Sequence, residues 1–218
     1  MIPIRDEGPK GHIPFVNILF IGLNIYFFVI QPSVNADAYF EKYGLIPEKL
    51  MALPAYLSHG DFTVLFSLFT SLFIHGGLAH IAFNMLYLWI FGDNIEYFQG
   101  HVGYFFFYLI CGVAATMTQV MIDPTSTLPV IGASGAISGI MGGYLVKFPK
   151  NRVTTLFIFI IFIRFFRIRA VYLLGFWFLY QGFMGYSAYV SGQQGGVAWF
   201  AHIGGFISGM ILVNIFRK

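Results

Sequence analysis

Four polar side chains lie in otherwise apolar stretches and could together carry out acyl transfer: Ser134, His202, His80 and Asn84. A serine hydroxyl becomes a nucleophile when a base accepts its proton, and imidazole suits that role near neutral pH. Ser134 is placed at the start of a predicted helix, where free backbone N–H groups and the positive end of the dipole could stabilise an oxyanion. His80 and Asn84, one helical turn apart, could add side-chain donors. The pattern predicts a Ser134–His202 dyad, because no Asp or Glu is predicted at this level.

Each of these residues also fits a structural role. A serine in a glycine-rich membrane helix commonly serves helix packing, and His202 alone could be a packing or pore residue. His80 with Asn84 could equally be an interhelical hydrogen-bond pair. His75 and His80 could be read as metal ligands, but no third ligand is predicted near them, so we expect no metal and no cofactor.

The composition is that of an integral membrane protein. The chain of 218 residues is 58% hydrophobic and 10% charged, against about 25% charged for an average soluble domain. The net charge of +3 is too small and scattered for a nucleic-acid surface, so no nucleic-acid partner is expected. The single cysteine, Cys111, excludes an internal disulfide and a cysteine-based metal cluster.

Hydropathy predicts one membrane domain over residues 1–218, an all-α bundle of six transmembrane helices. The predicted spans 1 to 6, bounded by Pro, Gly and charged residues, are about 13–30, 78–91, 102–121, 132–146, 170–189 and 198–216. Span 2 is expected to stop at Gly92-Asp93.

Positive charge sets the predicted orientation. Arginines and lysines flank the apolar run 153–163, which we therefore interpret as a cytoplasmic interfacial segment. Both termini, with Arg5, Lys10, Arg217 and Lys218, are then cytoplasmic, and residues 31–77 form a membrane-associated external loop. Within that loop, residues 62–74 are predicted to form a helix in the outer membrane face. At about 1.5 Å per residue, the four polar side chains fall in the outer third of the bilayer.

Small residues recur at helical spacing on two spans. Gly135, Gly139 and Gly143 lie four residues apart on span 4, and His202, Gly205 and Gly209 share a face of span 6. Small residues let two backbones approach closely. If these faces meet, Ser134 reaches His202.

The chain resembles the rhomboid intramembrane serine proteases. The matching stretches, in family order, are 75–80 (His-Gly-Gly-Leu-Ala-His) with Asn84, 91–94 (Phe-Gly-Asp-Asn) with Glu96, 132–139 (Gly-Ala-Ser-Gly-Ala-Ile-Ser-Gly), and 198–205 (Ala-Trp-Phe-Ala-His-Ile-Gly-Gly) with Gly209.

This resemblance implies the six-helix rhomboid topology, with Ser134 as nucleophile and His202 as general base. His80, Asn84 and the Ser134 backbone N–H would line the oxyanion site. The expected activity is serine endopeptidase cleavage of transmembrane-helix proteins that enter between spans 2 and 5. The alternative is a catalytically silent membrane chaperone or binding scaffold on the same fold. The short N-terminus, which contains acidic residues, favours a prokaryotic plasma membrane.

Three features depart from the family pattern or extend it. Phe66-Ser67 stands where many relatives have Trp-Arg, so the anchoring of the external loop is expected to differ. Ser138 stands where some relatives carry an aromatic residue that packs on the base, so His202 is expected to be held differently. The uncharged segment 187–196, with Gln193 and Gln194, could be a cap over the site that moves with span 5.

Overall fold

The computed structural model describes residues 2–8, 13–32, 35–159, 162–192 and 195–217. Four residues used in the sequence predictions lie outside these ranges. They are Lys10 and Lys218, used for the orientation, and Gln193 and Gln194, used for the cap. The helices are α1 (Phe15–Ile30), α2 (Ala36–Tyr43), α3 (Pro47–Met51), α4 (Leu53–Ser58), α5 (Thr63–Thr70), α6 (Leu78–Ile122), α7 (Ser134–Lys147), α8 (Ala170–Ser191) and α9 (Trp199–Leu212). The strands are β1 (Ile2–Arg5), β2 (Arg152–Phe159) and β3 (Phe162–Arg169).

Helix α6 folds back on itself at Gly100, where φ is 75° and ψ is 168°. The Asn17 side chain spans the fold: its amide donates to the Leu88 carbonyl over 3.0 Å, and its oxygen accepts from the Tyr104 hydroxyl over 2.7 Å. Residues 78–99 and 101–122, called the first and second arms of α6, therefore correspond to spans 2 and 3. The predicted stop of span 2 at residue 91 was wrong, because the helix continues through Gly92 to Gly100. Gly92 instead makes room for Asn17 and for the Tyr104 hydroxyl.

The predicted glycine faces of α7 and α9 meet. A Cβ atom built on Gly205 would overlap the Gly135 carbonyl, and one built on Gly209 would overlap the Gly139 carbonyl. The two helices pack extensively along this seam. The second arm of α6 contacts both, through Cys111 at Gly139 and Thr118 at Gly204. This contact confirms the predicted small-residue packing.

Buried polar contacts hold α1 against α6. Glu96, which is fully buried, accepts hydrogen bonds from the backbone N–H groups of Val16 (2.9 Å) and Asn17 (2.8 Å) in the first turn of α1. A carboxylate at a helix N-terminus satisfies free N–H groups and complements the helix dipole.

The N-terminal segment is joined to the same end of the bundle. Asp6 accepts hydrogen bonds from the Asn94 amide and the Tyr144 hydroxyl, and burial raises the pKa of this carboxyl. β1 pairs antiparallel with β2, and β2 with β3, giving the strand order β1-β2-β3.

This sheet corrects the prediction of an all-α protein. The interfacial segment 153–163 is one strand and the start of a second, in a hairpin paired from Arg152↔Arg169 to Phe159↔Phe162. β-branched and aromatic residues, which make up most of β2 and β3, favour strands. The remaining strand of the sheet, β1, lies near the N-terminus, more than a hundred residues before β2 in the sequence.

The other predicted spans agree with helices. Spans 1, 4 and 5 coincide with α1, α7 and α8 to within two residues at each end. Span 3 coincides with the second arm of α6. Span 6 coincides with α9, which ends at Leu212, before the predicted end at residue 216. Among the described residues, α6 alone is long and apolar enough to cross a membrane by length and composition, while α1, α9 and Thr63–Phe73 are shorter apolar helices. That all six spans cross stays a prediction.

Between α1 and α6 the chain forms α2 to α5 and a 3₁₀ turn at Ser71–Phe73, so residues 63–73 of the predicted helix 62–74 are helical. Its place in the outer membrane face stays a prediction. This loop is attached to the segment before α7 by paired backbone hydrogen bonds of Leu45 with Val130, at 3.1 and 2.7 Å. The same loop therefore positions the start of α7.

We predict that Gly209→Ala destabilises the protein by about 1–3 kcal/mol, the usual cost of overpacking a close contact. The added methyl group would overlap the Gly139 backbone and force α7 and α9 apart. The measurement is thermal unfolding of purified protein in detergent. Gly175→Ala on α8 is the matched control, because a Cβ at Gly175 meets no atom within 4 Å. Equal melting temperatures for the two variants would contradict the role of this seam.

Candidate active site

Ser134 and His202 lie within hydrogen-bonding distance. Ser134 is the first residue of α7, and His202 lies in the first turn of α9. His202 Nε2 is 2.8 Å from Ser134 Oγ. This pair is separated by 68 residues in sequence and is brought together by the α7–α9 seam. A nucleophile and general base require this geometry.

The other side of the His202 ring contacts α8. His202 Nδ1 is 2.9 Å from Oε1 of Gln181, a residue that is 4% exposed. The Trp177 and Trp199 rings lie 6.0 and 6.4 Å from the imidazole, centroid to centroid. Sequence reasoning missed Gln181, although it is the only carboxamide in α8 and a polar residue in an apolar helix is a signal of function.

Ser138 does not pack on the base. Its hydroxyl donates to the Ser134 carbonyl over 2.6 Å, within α7. The tryptophan rings of α8 and α9 lie beside His202 instead, in agreement with the expectation that the base is held differently here.

His80 and Asn84 both face the segment that leads into α7. A Cβ built on Gly132 would lie 2.7 Å from His80 Nε2 and 3.7 Å from Asn84 Nδ2. His80 Nδ1 accepts from the Gly76 N–H over 3.3 Å, so the neutral ring carries its proton on Nε2 and can donate there. Asn84 Nδ2 is buried without a hydrogen-bond partner. Two donors thus converge beside Gly132, two residues before Ser134.

The backbone at Gly132 is bent to allow this approach. Its φ is +112°, a conformation that favours glycine, and its N–H donates to the Ser71 carbonyl over 2.8 Å. The Thr70 hydroxyl donates to the Tyr43 carbonyl over 2.6 Å. The Gly132–Ser71 bond holds the loop between α1 and α6 on the site, and the Thr70–Tyr43 bond joins two parts of that loop. At the Phe66-Ser67 departure, Phe66 is exposed and the Ser67 hydroxyl donates within α5 to the Val64 carbonyl.

A cavity of about 120 Å³ separates the first arm of α6 from α8. Its lining residues are Tyr87, Leu173, Leu174, Phe176, Trp177 and Tyr180. α8 packs mainly on α9 and has few contacts with α6.

Part of the predicted cap, segment 187–196, is helical, since α8 extends to Ser191.

His75 lies beside the site without joining it. It is fully buried, and its ring lies 5.0 Å from the His80 ring. Across the described ranges, no group of three or more His, Cys, Asp or Glu side chains could hold a metal ion.

Comparison with known proteins adds the family. The Rhomboid domain model matches residues 63–218. Rhomboid protease GluP of Bacillus subtilis is 30% identical over 139 residues, which cover 64% of this chain and 26% of that protein. Rhomboid-like protein 11, chloroplastic, of Arabidopsis thaliana is 31% identical over 131 residues, covering 60% of this chain and 41% of that protein. Rhomboid protein 1, mitochondrial, of Saccharomyces cerevisiae is 26% identical over 143 residues, which cover 64% of this chain and 38% of that protein.

The matched region thus spans 26% to 41% of the length of these relatives. The domain match includes the helices that carry Ser134, His202, His80 and Asn84, and it covers well over half of the chain. This chain belongs to the rhomboid family of helical integral membrane proteins.

Proposed function

We propose that this protein is an intramembrane serine endopeptidase that hydrolyses peptide bonds in or near transmembrane helices of other proteins. The observation that carries the proposal is the 2.8 Å separation of His202 Nε2 and Ser134 Oγ. The rhomboid family includes intramembrane serine proteases that act on membrane proteins, and it also includes inactive members.

In the proposed reaction, His202 Nε2 takes the hydroxyl proton as Ser134 Oγ attacks the scissile carbonyl carbon. The tetrahedral intermediate collapses when the C–N bond breaks and the imidazolium gives that proton to the leaving amine. A water molecule, deprotonated by the same imidazole, then attacks the acyl-enzyme. Release of the new carboxyl group returns the proton to Ser134.

Charge on the substrate oxygen is stabilised from three directions. The His80 Nε2–H and the Asn84 amide face Gly132, and the Ser134 N–H lies at the start of α7. The α7 N-cap, Ala133, has no side-chain hydrogen bond, so the first-turn N–H groups are not capped by a side chain. Donors placed in advance around a developing oxyanion lower the barrier to acyl transfer.

The substrate is proposed to enter between the first arm of α6 and α8. The cavity between these helices and the sparse packing of α8 on α6 support this route. A membrane helix protects its amides by internal hydrogen bonds, so the cleaved segment must unwind to reach Ser134. We therefore expect substrates with Gly, Ser or Pro near the outer membrane face.

The topology belongs to the same proposal: six crossings, both termini cytoplasmic and the site near the outer face. Arg5 at one end of the chain and the arginines of the hairpin lie on linked strands, which supports a common cytoplasmic side. The prokaryotic plasma membrane stays a prediction, because relatives include proteins named as chloroplastic and mitochondrial.

We predict that Ser134→Ala and His202→Ala each lower cleavage of a reporter transmembrane protein by at least about 10³-fold, since removal of either member of a nucleophile–base pair disables the unit. Cleavage is measured with purified enzyme in liposomes. Ser208→Ala is the matched serine control, since its hydroxyl donates to the Gly205 carbonyl within α9, away from His202. His59→Ala, in the exposed external loop, is the histidine control.

Labelling of Ser134 by a fluorophosphonate probe gives a second measurement. Wild type should react, and both dyad variants should not. Equal cleavage by wild type and Ser134→Ala would contradict the proposed mechanism. No cleavage and no labelling in the folded wild type would instead favour the silent chaperone or scaffold.

We predict that Asn84→Ala lowers kcat by about 10²-fold with KM changed less than about twofold, because an oxyanion donor acts mainly in the transition state. The assay is steady-state cleavage in liposomes. Asn24→Ala is the matched control, because this buried amide bonds its own helix at the Phe20 carbonyl. An unchanged kcat in a folded Asn84→Ala enzyme would remove Asn84 from the oxyanion site.

We predict that joining α8 to α6 blocks membrane substrates and leaves Ser134 reactive. Cysteines introduced at Tyr87 and Leu173, which line one cavity, would be joined by a reducible bifunctional reagent. Cleavage of a transmembrane reporter should cease and return on reduction, while a small fluorophosphonate still labels Ser134. The control pair, cysteines at Leu173 and Tyr180, lies within α8. Unchanged cleavage by the joined protein would reject this route.

A further inference from the structure

Gln181 and Ser134 occupy opposite nitrogens of one imidazole ring. Gln181 Oε1 lies 2.9 Å from His202 Nδ1, and Ser134 Oγ lies 2.8 Å from His202 Nε2. The three residues come from α8, α9 and α7, so the ring is held between three helices. Both of its hydrogen-bonding atoms are occupied.

The chemistry of a neutral imidazole makes these two contacts interdependent. A neutral imidazole ring carries one N–H group. When the proton is on Nδ1, Nε2 has a free lone pair; when the proton is on Nε2, that nitrogen has no free lone pair. A carboxamide oxygen can only accept a hydrogen bond. The Gln181 oxygen therefore favours the tautomer with the proton on Nδ1, which leaves Nε2 free to take the Ser134 proton.

We propose that Gln181 is a positioning residue that fixes the tautomer and orientation of His202, so that the pair functions as a Ser134–His202–Gln181 triad with an uncharged third member. This inference rests on the proposed protease function. Gln181 contacts the His202 ring on the side away from Ser134 and acts through the base. An aspartate usually fills this position in soluble serine proteases. A neutral amide makes the same bond without burying a charge in an apolar helix bundle.

The packing of α8 supports this role. The buried residues of α8 all lie on one face, and its other residues are exposed or half-buried. The buried ones are Ala170, Leu174, Gln181 and Gly185. Trp177, one turn before Gln181, lies beside the same imidazole. Burying a carboxamide costs free energy unless it is hydrogen-bonded. The contact with His202 meets that need, and it makes the position of α8 part of the geometry of the base.

The first test is the tautomer of His202, read by NMR of protein labelled with ¹⁵N-histidine and assigned by difference from His202→Ala. In wild type, Nδ1 should carry the proton. In Gln181→Leu, the spectrum should show loss of this preference. Gln99→Leu is the matched control: this buried glutamine donates to the Val213 carbonyl at the other end of α9 and should leave the His202 spectrum unchanged.

Kinetics form the second test. Gln181→Leu should lower kcat by about 10- to 100-fold, as loss of an orienting partner commonly does, with KM changed less than about twofold. Gln181→Glu keeps the acceptor and should restore most of kcat. Its negative charge stabilises the protonated imidazole, so the acid limb of the pH–rate profile should move up by about one pH unit.

Other groups around the ring are the same in all of these variants. Ser134 faces it from α7, and the Trp177 and Trp199 rings from α8 and α9. His80, on the first arm of α6, is the titratable neighbour of His202. A displaced acid limb in Gln181→Glu is therefore attributable to the new carboxylate.

An unchanged His202 spectrum in folded Gln181→Leu overturns the proposal, whatever happens to kcat. If Gln181→Leu does not fold, Gln181→Glu decides: a displaced acid limb supports the proposal, and an unmoved one overturns it. The NMR measurement needs no turnover. If the wild type is inactive but its His202 tautomer depends on Gln181, the protease function is refuted and the positioning contact is still supported.

Discussion

Helices α7 and α9 lie so close that the carbonyl groups of one contact glycine Cα atoms of the other. Gly205 lies on the Gly135 carbonyl and Gly209 on the Gly139 carbonyl. At this separation, a hydroxyl on the first residue of α7 and an imidazole in the first turn of α9 meet at hydrogen-bonding distance. In lipid, burial of apolar surface between helices adds little stability, so close van der Waals packing has to supply it. The seam that stabilises the bundle is thus the seam that assembles the reactive pair.

Paired buried polar groups join the helices where water is scarce. Glu96 accepts from the first turn of α1, and Asn17 joins the two arms of α6. Asn84 Nδ2 is one of several buried polar atoms that have no hydrogen-bond partner among the described residues. An unpaired buried donor normally costs stability, and its place beside Gly132 is where the proposed reaction develops negative charge. The proposed function gives this donor a partner only in the transition state.

The limits of the sequence predictions follow from the range of each interaction. Apolar runs predicted α1, α7 and α8 closely, because the length of an apolar run is a local property of the sequence. Glycine and aspartate at residues 92–93 suggested a stop that does not occur, because Gly92 serves a contact with Asn17 across the bundle. The strands were missed for a similar reason. β2 pairs with β1 at the other end of the chain, and a short apolar run by itself does not distinguish an interfacial helix from a strand.

The amino-acid sequence by itself determined the membrane class, helices α1, α7 and α8, the glycine faces and the four polar residues of the candidate site. Each of these depends on residue type and on spacing within one element. Only the tertiary structure decided which faces meet, that Asn84 is left unpaired, and that Gln181 occupies the second nitrogen of His202. The physical reason is that a hydrogen bond depends on distance and direction between side chains from different helices, here 68 and 21 residues apart, and those are set by packing.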